Sequence, residues 1–345
     1  MIEIKDLSRQ FKVLNRREGL KGAAQDLFSR DYKTVDAVKD VNMNIEDGEI
    51  IGYVGPNGAG KSTTIKMLCG ILQPSSGTIR VNGRDPFSDR MEHMRRLGVV
   101  FGQRTQLWWN LPVRESFKVL KDIYLVDDAA YNNNMKMFED LVHIEELYNK
   151  TVRQMSLGQR MLCEVTAAFL HDPELVLLDE PTIGLDVAVK DSIRKLIHSL
   201  NEEKKATILL TSHDTSDIES LCRRVAVIDK GALIFDGELG NLRNMFGSRR
   251  VIRLAMKIGA RTVDEIRALM QNNFPEGGLE VQSENEGEVM IYVDEDIQAL
   301  VGVVDFAVKN LSFDNISIEQ TGLEEIIKKI YEGGKINEKV SGNIG

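Results

Sequence analysis

Residues 55–62 have the sequence Gly55-Pro56-Asn57-Gly58-Ala59-Gly60-Lys61-Ser62. An apolar run typical of a buried strand precedes this stretch at 49–54, and a segment of helical composition follows it at 63–68. A phosphate bound at a helix N-terminus is held by converging backbone N–H groups, which requires glycine where a Cβ would block the approach. The order of strand, glycine-rich loop and helix therefore predicts a phosphate-binding loop in an α/β domain.

The last residues of the loop indicate a nucleotide site with a metal ion. In P-loop NTPases the lysine at the position of Lys61 reaches the β- and γ-phosphates, and the serine at the position of Ser62 binds Mg²⁺. We expect residues 55–62 and the following Thr63 to contact the nucleotide. A glycine-rich turn that matches the pattern by chance is the alternative, and the strand and helix on either side disfavour it.

Length and composition limit the classes of protein that fit. A chain of 345 residues exceeds one typical domain, and its net charge of −9 disfavours a nucleic-acid binder that relies on bulk basicity. The three cysteines, Cys69, Cys163 and Cys222, form no CxxC pair and are expected to be buried reduced thiols in a cytosolic protein. We predict neither a membrane span nor a signal peptide, so membrane contact would require a partner.

The N-terminal region alternates apolar and polar residues at 2–7 and 41–45, which predicts an antiparallel pair of strands. Between them, residues 19–33 have apolar side chains at helical spacing with basic residues around them, which predicts a short amphipathic helix. Packing on its own domain is the simpler interpretation of this helix. The alternative is a position at a membrane surface or against a membrane partner.

The rest of the chain changes character twice. Strands are expected at 78–83, 97–101, 174–180, 207–213 and 225–229, and the helical patterns at 112–152 indicate a helical insertion among them. After residue 238 a second pattern predicts strands near 250–254, 279–282, 288–293 and 316–318, with helices at 263–272 and 323–331. We expect an α/β domain over 1–238 with a helical subdomain at about 110–165. A small α+β domain over 239–335 and a flexible tail over 336–345 would follow.

Further motifs indicate to which class of P-loop NTPase the chain belongs. Four apolar residues precede Asp179-Glu180, so a carboxylate is predicted at a strand end near the metal, with a second carboxylate placed to act as a general base. An acidic pair in isolation would more often be a solvated turn. Here Ser156-Leu157-Gly158-Gln159 precedes the pair and opens a helical segment, and Ile183-Gly184-Leu185-Asp186 follows it.

At this point the chain resembles the ATP-binding-cassette (ABC) transporter ATPases, over about residues 1–238. Residues 55–62 match Walker A, Gln103 matches the Q-loop and 156–159 match the signature. Walker B is matched by 175–180, the D-loop by 183–186 and the switch histidine by His213. The fold implied by the resemblance is a P-loop ABC ATPase: a mixed sheet core with an antiparallel β subdomain and a helical subdomain.

The resemblance also implies how the site works. The family forms a head-to-tail homodimer that holds two ATP molecules, each between Walker A of one chain and the signature of the other. In that arrangement Glu180 polarises the attacking water, His213 contacts the γ-phosphate and Gln103 senses the metal and the transmembrane partner. Further residues are implied as ligands: Ser156, Gly158, Gln159 and Asp186 toward the nucleotide, and Ser62, Gln103 and Asp179 toward Mg²⁺.

Leu157 departs from the family pattern, and the assignments of the adenine-stacking residue and of a tryptophan pair stay open. Leu157 replaces the usual first glycine of the signature, although we still expect a competent site. Phe11 aligns best with the aromatic residue that stacks on adenine, and Tyr32 is its rival because the segment 19–33 is inserted after Phe11. Trp108 and Trp109 follow the Q-loop, where they belong either to the core or to a contact with the permease.

The expected function is that of an ATPase subunit of an exporter, on the cytoplasmic side of the cell membrane beside a separately encoded permease. The residues from 316 to 326 resemble the C-terminal accessory domain of drug- and lipid-exporter ATPases. A soluble cassette ATPase acting on ribosomes or DNA is one alternative, and an importer ATPase is another. A P-loop GTPase lacks support because no Asn-Lys-x-Asp guanine motif occurs.

Overall fold

The computed structural model describes residues 1–14, 32–102, 104–245, 249–257, 259–285, 287–320 and 322–331. It divides into two compact units, Met1–Gly237 and Glu238–Gly345. Residues 19–31 of the predicted helix at 19–33 lie outside the described residues. Its last two residues correct the prediction, because Tyr32 and Lys33 belong to a strand that pairs with the N-terminal strand.

The first unit contains a three-stranded antiparallel sheet. Its strands are β1 (Ile2–Leu14), β2 (Tyr32–Ile45) and β4 (Ser76–Val81), in the order β2-β1-β4. The predicted pairing of the N-terminal strands is confirmed, and both strands are longer than the alternating pattern indicated. The apolar residues on one face of these strands are buried beside Met67 and Leu68. The sheet is thereby fixed against the helix that follows the phosphate loop.

The central sheet of this unit has six strands in the order β5-β6-β7-β3-β8-β9. The strands are β3 (Ile50–Val54), β5 (Leu97–Phe101), β6 (Leu175–Asp179), β7 (Thr207–Thr211), β8 (Arg224–Asp229) and β9 (Ala232–Glu238). The pairs that join β5 through β8 are parallel. The central residues of β6, β7 and β8 are buried, as expected of apolar runs covered on both faces. Parallel strands bring their carboxyl ends to one edge, and the chemically active motifs follow those ends.

The described residues of the first unit also form seven helices. They are α1 (Lys61–Leu68), α2 (Arg90–Arg95), α3 (Val113–Tyr124), α4 (Asp128–Val142), α5 (Leu157–Phe169), α6 (Val187–Lys204) and α7 (Thr215–Leu221). Short 3₁₀ turns occupy Ile144–Leu147 and Val152–Gln154. The run of helices from α3 to α5, with no strand between them, occupies the region where the sequence predicts a helical insertion. The P-loop ABC ATPase fold class is confirmed.

The second unit has its own core. Its elements are α8 (Leu239–Met245), β10 (Arg249–Met256), α9 (Val263–Asn273), β11 (Leu279–Asn285), β12 (Glu288–Asp294), α10 (Leu300–Asn310), β13 (Phe313–Gln320) and α11 (Leu323–Tyr331). From β10 to β13 the order is βαββαβ, and the antiparallel sheet has the order β11-β12-β10-β13. This is the ferredoxin-like arrangement. Ile266 and Met270 of α9 and Val303 of α10 pack on one face of the sheet.

None of the helices in the described part of the chain combines the length and apolar character needed to cross a bilayer. The three cysteines are free and buried, as expected from the sequence.

Candidate functional site

The phosphate loop connects β3 to α1, as the sequence predicts. Gly58 and Gly60 have φ angles of 81° and 111°, in the range that favours glycine. A Cβ on Gly60 would lie 2.3 Å from the carbonyl oxygen of Ala37. The loop therefore requires glycine at this position both for its backbone angle and for the close passage of β2.

Lys61 begins α1 and is 6% exposed. Its Nζ donates hydrogen bonds to the carbonyl oxygens of Gly55, at 2.5 Å, and Pro56, at 3.2 Å. Burial lowers the pKa of Lys61, while the carboxylates of Glu180 and Asp179 act in the opposite direction. The loop thus holds an ammonium group at the entrance to α1, where the helix N-terminus also attracts negative charge.

Ser62 and Asp179 lie together, as the predicted metal site requires. The Ser62 hydroxyl donates to Oδ2 of Asp179 at 3.3 Å, and the Thr211 hydroxyl donates to Oδ1 of the same carboxylate at 2.7 Å. Mg²⁺ prefers oxygen ligands and takes one or two from protein while phosphates and waters complete its shell. The hydroxyl and carboxylate of Ser62 and Asp179 fit that donor set, although no cluster of three or more metal-binding side chains occurs among the described residues. Gln103 lies outside the described residues.

Glu180 and His213 follow the ends of β6 and β7. The Nε2 atom of His213 lies 2.7 Å from Oε1 of Glu180, and their side chains are 41% and 23% exposed respectively. The backbone N–H of Glu180 donates to the hydroxyl of Thr211 at 3.1 Å, and Glu180 has a φ of 57°. A cavity of about 330 Å³ is lined by Ser62, Asp179 and Glu180 among others. The serine, the aspartate and the glutamate therefore share one solvent space.

The signature begins a helix, as predicted. Ser156 is the N-cap of α5: its hydroxyl accepts the N–H of Gln159 at 3.2 Å, and Gln159 accepts the N–H of Ser156 at 3.4 Å. A Cβ on Gly158 would lie 2.6 Å from Cγ1 of Val189, so glycine allows α5 and α6 to approach closely. Leu157 is 38% exposed. Its Cδ2 would lie 3.4 Å from a Cβ on Gly184, which places the Leu157 side chain beside the D-loop.

Asp186 is the N-cap of α6, where its carboxylate accepts the N–H of Val189 at 3.0 Å. Among the described residues, no hydrogen bond or ion pair joins Ser156, Gln159 or Asp186 to the loop 55–62. The structure thus groups Lys61, Ser62, Asp179, Glu180 and His213 at the edge of the sheet. The signature and the D-loop form a separate group within the same chain.

The two candidates for adenine stacking lie on the paired strands β1 and β2. Phe11 is opposite Val35, and the guanidinium of Arg9 lies 4.9 Å from the centre of the Phe11 ring. Tyr32 is opposite Leu14 and is 49% exposed. Both rings remain candidates.

Trp108 and Trp109 are 37% and 47% exposed, and neighbouring Leu111 is 36% exposed. The interpretation of this pair as core residues is therefore wrong. Contact with a partner remains a prediction.

Sequence reasoning missed several residues that hold the site in place. Thr211 bonds both the Asp179 carboxylate and the Glu180 N–H, and buried Asp217 contacts the segments next to Glu180 and His213. Lys190 donates to Asp214 at 2.5 Å. Burial alone would raise the pKa of Asp214, but hydrogen bonds from Lys190 and Ser216 outweigh it and lower the pKa to about 2. The only sequence signal for these residues is their position one to five residues from a motif.

Comparisons with known proteins show similarity to one family. The model of the ABC transporter family matches residues 38–183. The chain is 34% identical over 215 residues to the ABC transporter ATP-binding protein NatA of Bacillus subtilis, covering 62% of this chain and 87% of NatA. It is 30% identical over 309 residues to the bacitracin transport ATP-binding protein BcrA of Bacillus licheniformis, covering 90% of this chain and 97% of BcrA.

Among solved structures, the chain is similar to a dimeric ATP-binding cassette in a post-hydrolysis state bound to ADP and Pi. The TM-score is 0.57 at 22% identity, covering 69% of this chain and 99% of that one. This likeness concerns the fold.

Proposed function

This chain belongs to the family of ABC transporter ATP-binding proteins, and we propose that it drives an exporter by closing as a homodimer on ATP against a separate transmembrane permease. Its enzymatic activity is ATP hydrolysis. The observation that carries the site assignment is the grouping of Lys61, Ser62, Asp179, Glu180 and His213 at one edge of the central sheet.

The phosphate loop binds the substrate. Backbone N–H groups of the loop bind the phosphates at the start of α1, where those of Ala59 and Thr63 otherwise donate to the carbonyl oxygens of Pro56 and Gly60. The Lys61 ammonium exchanges its carbonyl partners for β- and γ-phosphate oxygens. The aromatic ring of Phe11 stacks on the adenine in this proposal, with Tyr32 as the alternative.

Ser62, Asp179 and Gln103 are the proposed ligands toward Mg²⁺. When bound, this ion neutralises charge on the β- and γ-phosphate oxygens. The Thr211 hydroxyl keeps the Asp179 carboxylate oriented toward Ser62.

Glu180 is the proposed general base. Its carboxylate accepts a proton as the water oxygen bonds to the γ-phosphorus, and the bond from that phosphorus to the bridging oxygen breaks to release ADP and phosphate. His213, whose Nε2 lies 2.7 Å from Oε1 of Glu180, turns the N–H of that nitrogen to the γ-phosphate when ATP is bound. General-base assistance of this kind accelerates a reaction by roughly 10²- to 10⁴-fold.

A second copy of the chain completes the nucleotide site. The N-terminus of α5, with Ser156, Gly158 and Gln159, offers a hydroxyl and backbone N–H groups to the phosphates bound by the other copy, and Asp186 lies at the same face. The separation of the two groups within one chain supports this arrangement, as does the dimeric state of the structural relative. ATP binding energy would then drive closure of the dimer.

Export is the proposed direction of transport because BcrA is named for bacitracin transport and aligns with 90% of this chain. Another relative, from Bacillus subtilis, is named for linearmycin resistance. Exposed Trp108 and Trp109 would contact the permease, which would hold the ATPase at the inner face of the membrane. In this proposal residues 1–238 are the ATPase domain and residues 239–335 an accessory domain.

Purification of the Glu180→Gln chain from detergent-solubilised membranes, with ATP present, tests this proposal. A polytopic membrane protein at stoichiometric amount is the expected partner, and its identity separates an exporter from an importer. Lys61→Ala is the matched control, since it should weaken ATP binding and reduce recovery of the closed dimer. Recovery of ribosomes or DNA-repair proteins in place of a permease would overturn the transport role.

A further inference from the structure

Asp217, on α7, has a buried carboxylate. We propose that Asp217 is a positioning residue for hydrolysis: it ties the segment after Glu180 to the segment before His213 and so sets their contact. This inference rests on the proposed roles of Glu180 and His213.

The carboxylate of Asp217 is surrounded by donors from three segments. Its Oδ2 accepts the hydroxyl of Ser212 at 2.7 Å and also the hydroxyl of Thr182. Its Oδ1 accepts Nε of Arg194 at 2.7 Å, with a second guanidinium nitrogen at 2.6 Å. Thr182 and Ser212 are themselves only 2% and 3% exposed. Water therefore has little access to replace either hydroxyl.

The strand pairing of β6 and β7 ends next to the reactive residues, and one further backbone hydrogen bond joins the Glu180 N–H to the Thr211 carbonyl oxygen at 3.1 Å. The last parallel pair of β6 and β7 is Asp179 with Thr211. Glu180 and His213 lie beyond that pair, outside the two strands. Asp217 joins these segments again, because one of its oxygens binds Thr182, two residues after Glu180, and also Ser212, immediately before His213.

Arg194 extends this link to the D-loop. It lies on α6, whose N-cap is Asp186, and it also donates to the Ser216 hydroxyl at 2.6 Å. One turn earlier, Lys190 binds Asp214 at 2.5 Å. Two cations of α6 therefore hold two carboxylates at the start of α7, so a displacement of the D-loop helix would be transmitted to His213.

A purely structural role is the competing interpretation. Buried ion pairs contribute little net stability compared with well-packed apolar residues, and in some proteins they fix one conformation. A displacement of about 1 Å in a catalytic group can lower a rate by roughly 100-fold. The two interpretations therefore differ in whether the rate changes while the fold and ATP binding stay intact.

The test removes hydroxyl donors from the carboxylate in the full chain. Thr182→Val is the cleaner deletion, because the Ser212 hydroxyl also accepts the Asp214 N–H at 3.0 Å. Ser212→Ala and Thr182→Val each delete one hydroxyl, and Thr182→Ser keeps it. We expect each deletion to lower kcat by about 10- to 100-fold, with the Kd for ATP within about twofold of wild type. Thr182→Ser should keep kcat within about threefold of wild type.

Ser220→Ala is the matched control. Its hydroxyl lies on the same helix but donates to the backbone carbonyl of Asp217 at 3.1 Å, so this variant should retain the wild-type kcat. The midpoint of thermal unfolding is recorded for every variant, and Ser212→Ala decides the test if Thr182→Val does not fold.

An unchanged kcat in folded Ser212→Ala would overturn the role of Asp217. Weaker ATP binding without a change in kcat would also overturn it. Glu180→Gln, measured in parallel, separates this failure from failure of the proposed site. If Glu180→Gln still hydrolyses ATP, the site assignment is wrong. If it is inactive while Ser212→Ala is normal, only the positioning role is wrong.

Discussion

His213 contacts Glu180 through a 2.7 Å approach between Nε2 and Oε1, although the two residues are 33 positions apart in the chain. They meet because β6 and β7 are parallel neighbours whose carboxyl ends lie side by side. This contact places a hydrogen-bond donor next to the proposed base, at the cavity that Ser62 and Asp179 also line.

His213→Ala should retain ATP binding and lose hydrolysis. The imidazole supplies one hydrogen bond to the γ-phosphate in the proposed mechanism, and loss of one such donor lowers kcat by roughly 10²- to 10³-fold. Steady-state phosphate release measures kcat, and equilibrium binding of a fluorescent ATP analogue measures the Kd. His198→Ala is the control, since that histidine lies on α6 with 54% of its side chain exposed. Equal loss of activity in both variants would contradict the role of His213.

The loss of ATP affinity caused by an alanine in the phosphate loop should depend on which glycine is replaced. Gly60→Ala would place a Cβ 2.3 Å from the Ala37 carbonyl oxygen, at a φ of 111°, whereas Gly58→Ala has a φ of 81° and open space around it. The left-handed backbone alone costs about 1–2 kcal/mol for alanine. We expect Gly60→Ala to weaken ATP binding at least about tenfold more than Gly58→Ala. Calorimetric titration with ATP measures the difference, and similar affinities for the two variants would refute it.

Leu157→Gly tests the unusual residue of the signature. Glycine at the first turn of α5 removes the side chain beside Gly184 and costs up to about 1 kcal/mol of helix stability. We expect the Glu180→Gln, Leu157→Gly chain to need a higher protein concentration to dimerise with ATP, as followed by light scattering. Ile123→Gly on α3 is the control, because Ile123 is 58% exposed and glycine there has a similar helix cost. An unchanged dimerisation constant in Leu157→Gly would rule out a contribution from this side chain.

His171 should make the stability of the protein depend on pH. Its ring stacks on Tyr124 with centroids 3.8 Å apart, and its Nε2 is hydrogen-bonded to the Leu97 carbonyl oxygen at 3.1 Å. Its Nδ1 is buried without a hydrogen-bond partner among the described residues. Burial lowers the pKa of His171 from 6.5 to about 4. The folded chain thus resists protonation of a group that titrates near pH 6.5 when unfolded.

Because the folded pKa is depressed, both states carry a neutral ring above pH 6.5, and only the unfolded state binds the proton as the pH falls toward 4. Stability should therefore decrease across this window, by up to about 3 kcal/mol from this group. Urea unfolding at pH 7 and pH 5 measures the change, and His171→Phe should reduce it. An equal pH dependence in His171→Phe and wild type would show that the histidine makes no contribution.

The sequence predicted the parts of the fold where local pattern and burial agree. The apolar runs before Asp179 and His213 are buried strands because both of their faces are covered, so composition alone identifies them. The phosphate loop and the N-cap at Ser156 could likewise be predicted, because each is formed by residues no more than eight positions apart in the sequence. This locality explains why the main motif residues could be named in advance.

Other features depend on distant contacts and could not be predicted in the same way. Helix α10, Leu300–Asn310, contains several valines that also favour strands, and packing against the sheet decides its conformation. Asp217 resembles any acidic residue in the first turn of a helix until Thr182 and Arg194 are placed beside it. The exposure of Trp108 likewise follows from the tertiary structure and not from the local sequence.

Single-turnover release of phosphate from bound ATP, compared between wild type and Glu180→Gln, tests the central claim most directly. The amide keeps the shape of the side chain but cannot accept the proton of water, so we expect ATP to remain bound and the rate to fall by about 10²- to 10⁴-fold. Persistent dimer in the presence of ATP should accompany this loss. Hydrolysis at the wild-type rate by Glu180→Gln would contradict the assignment of Glu180 as the base.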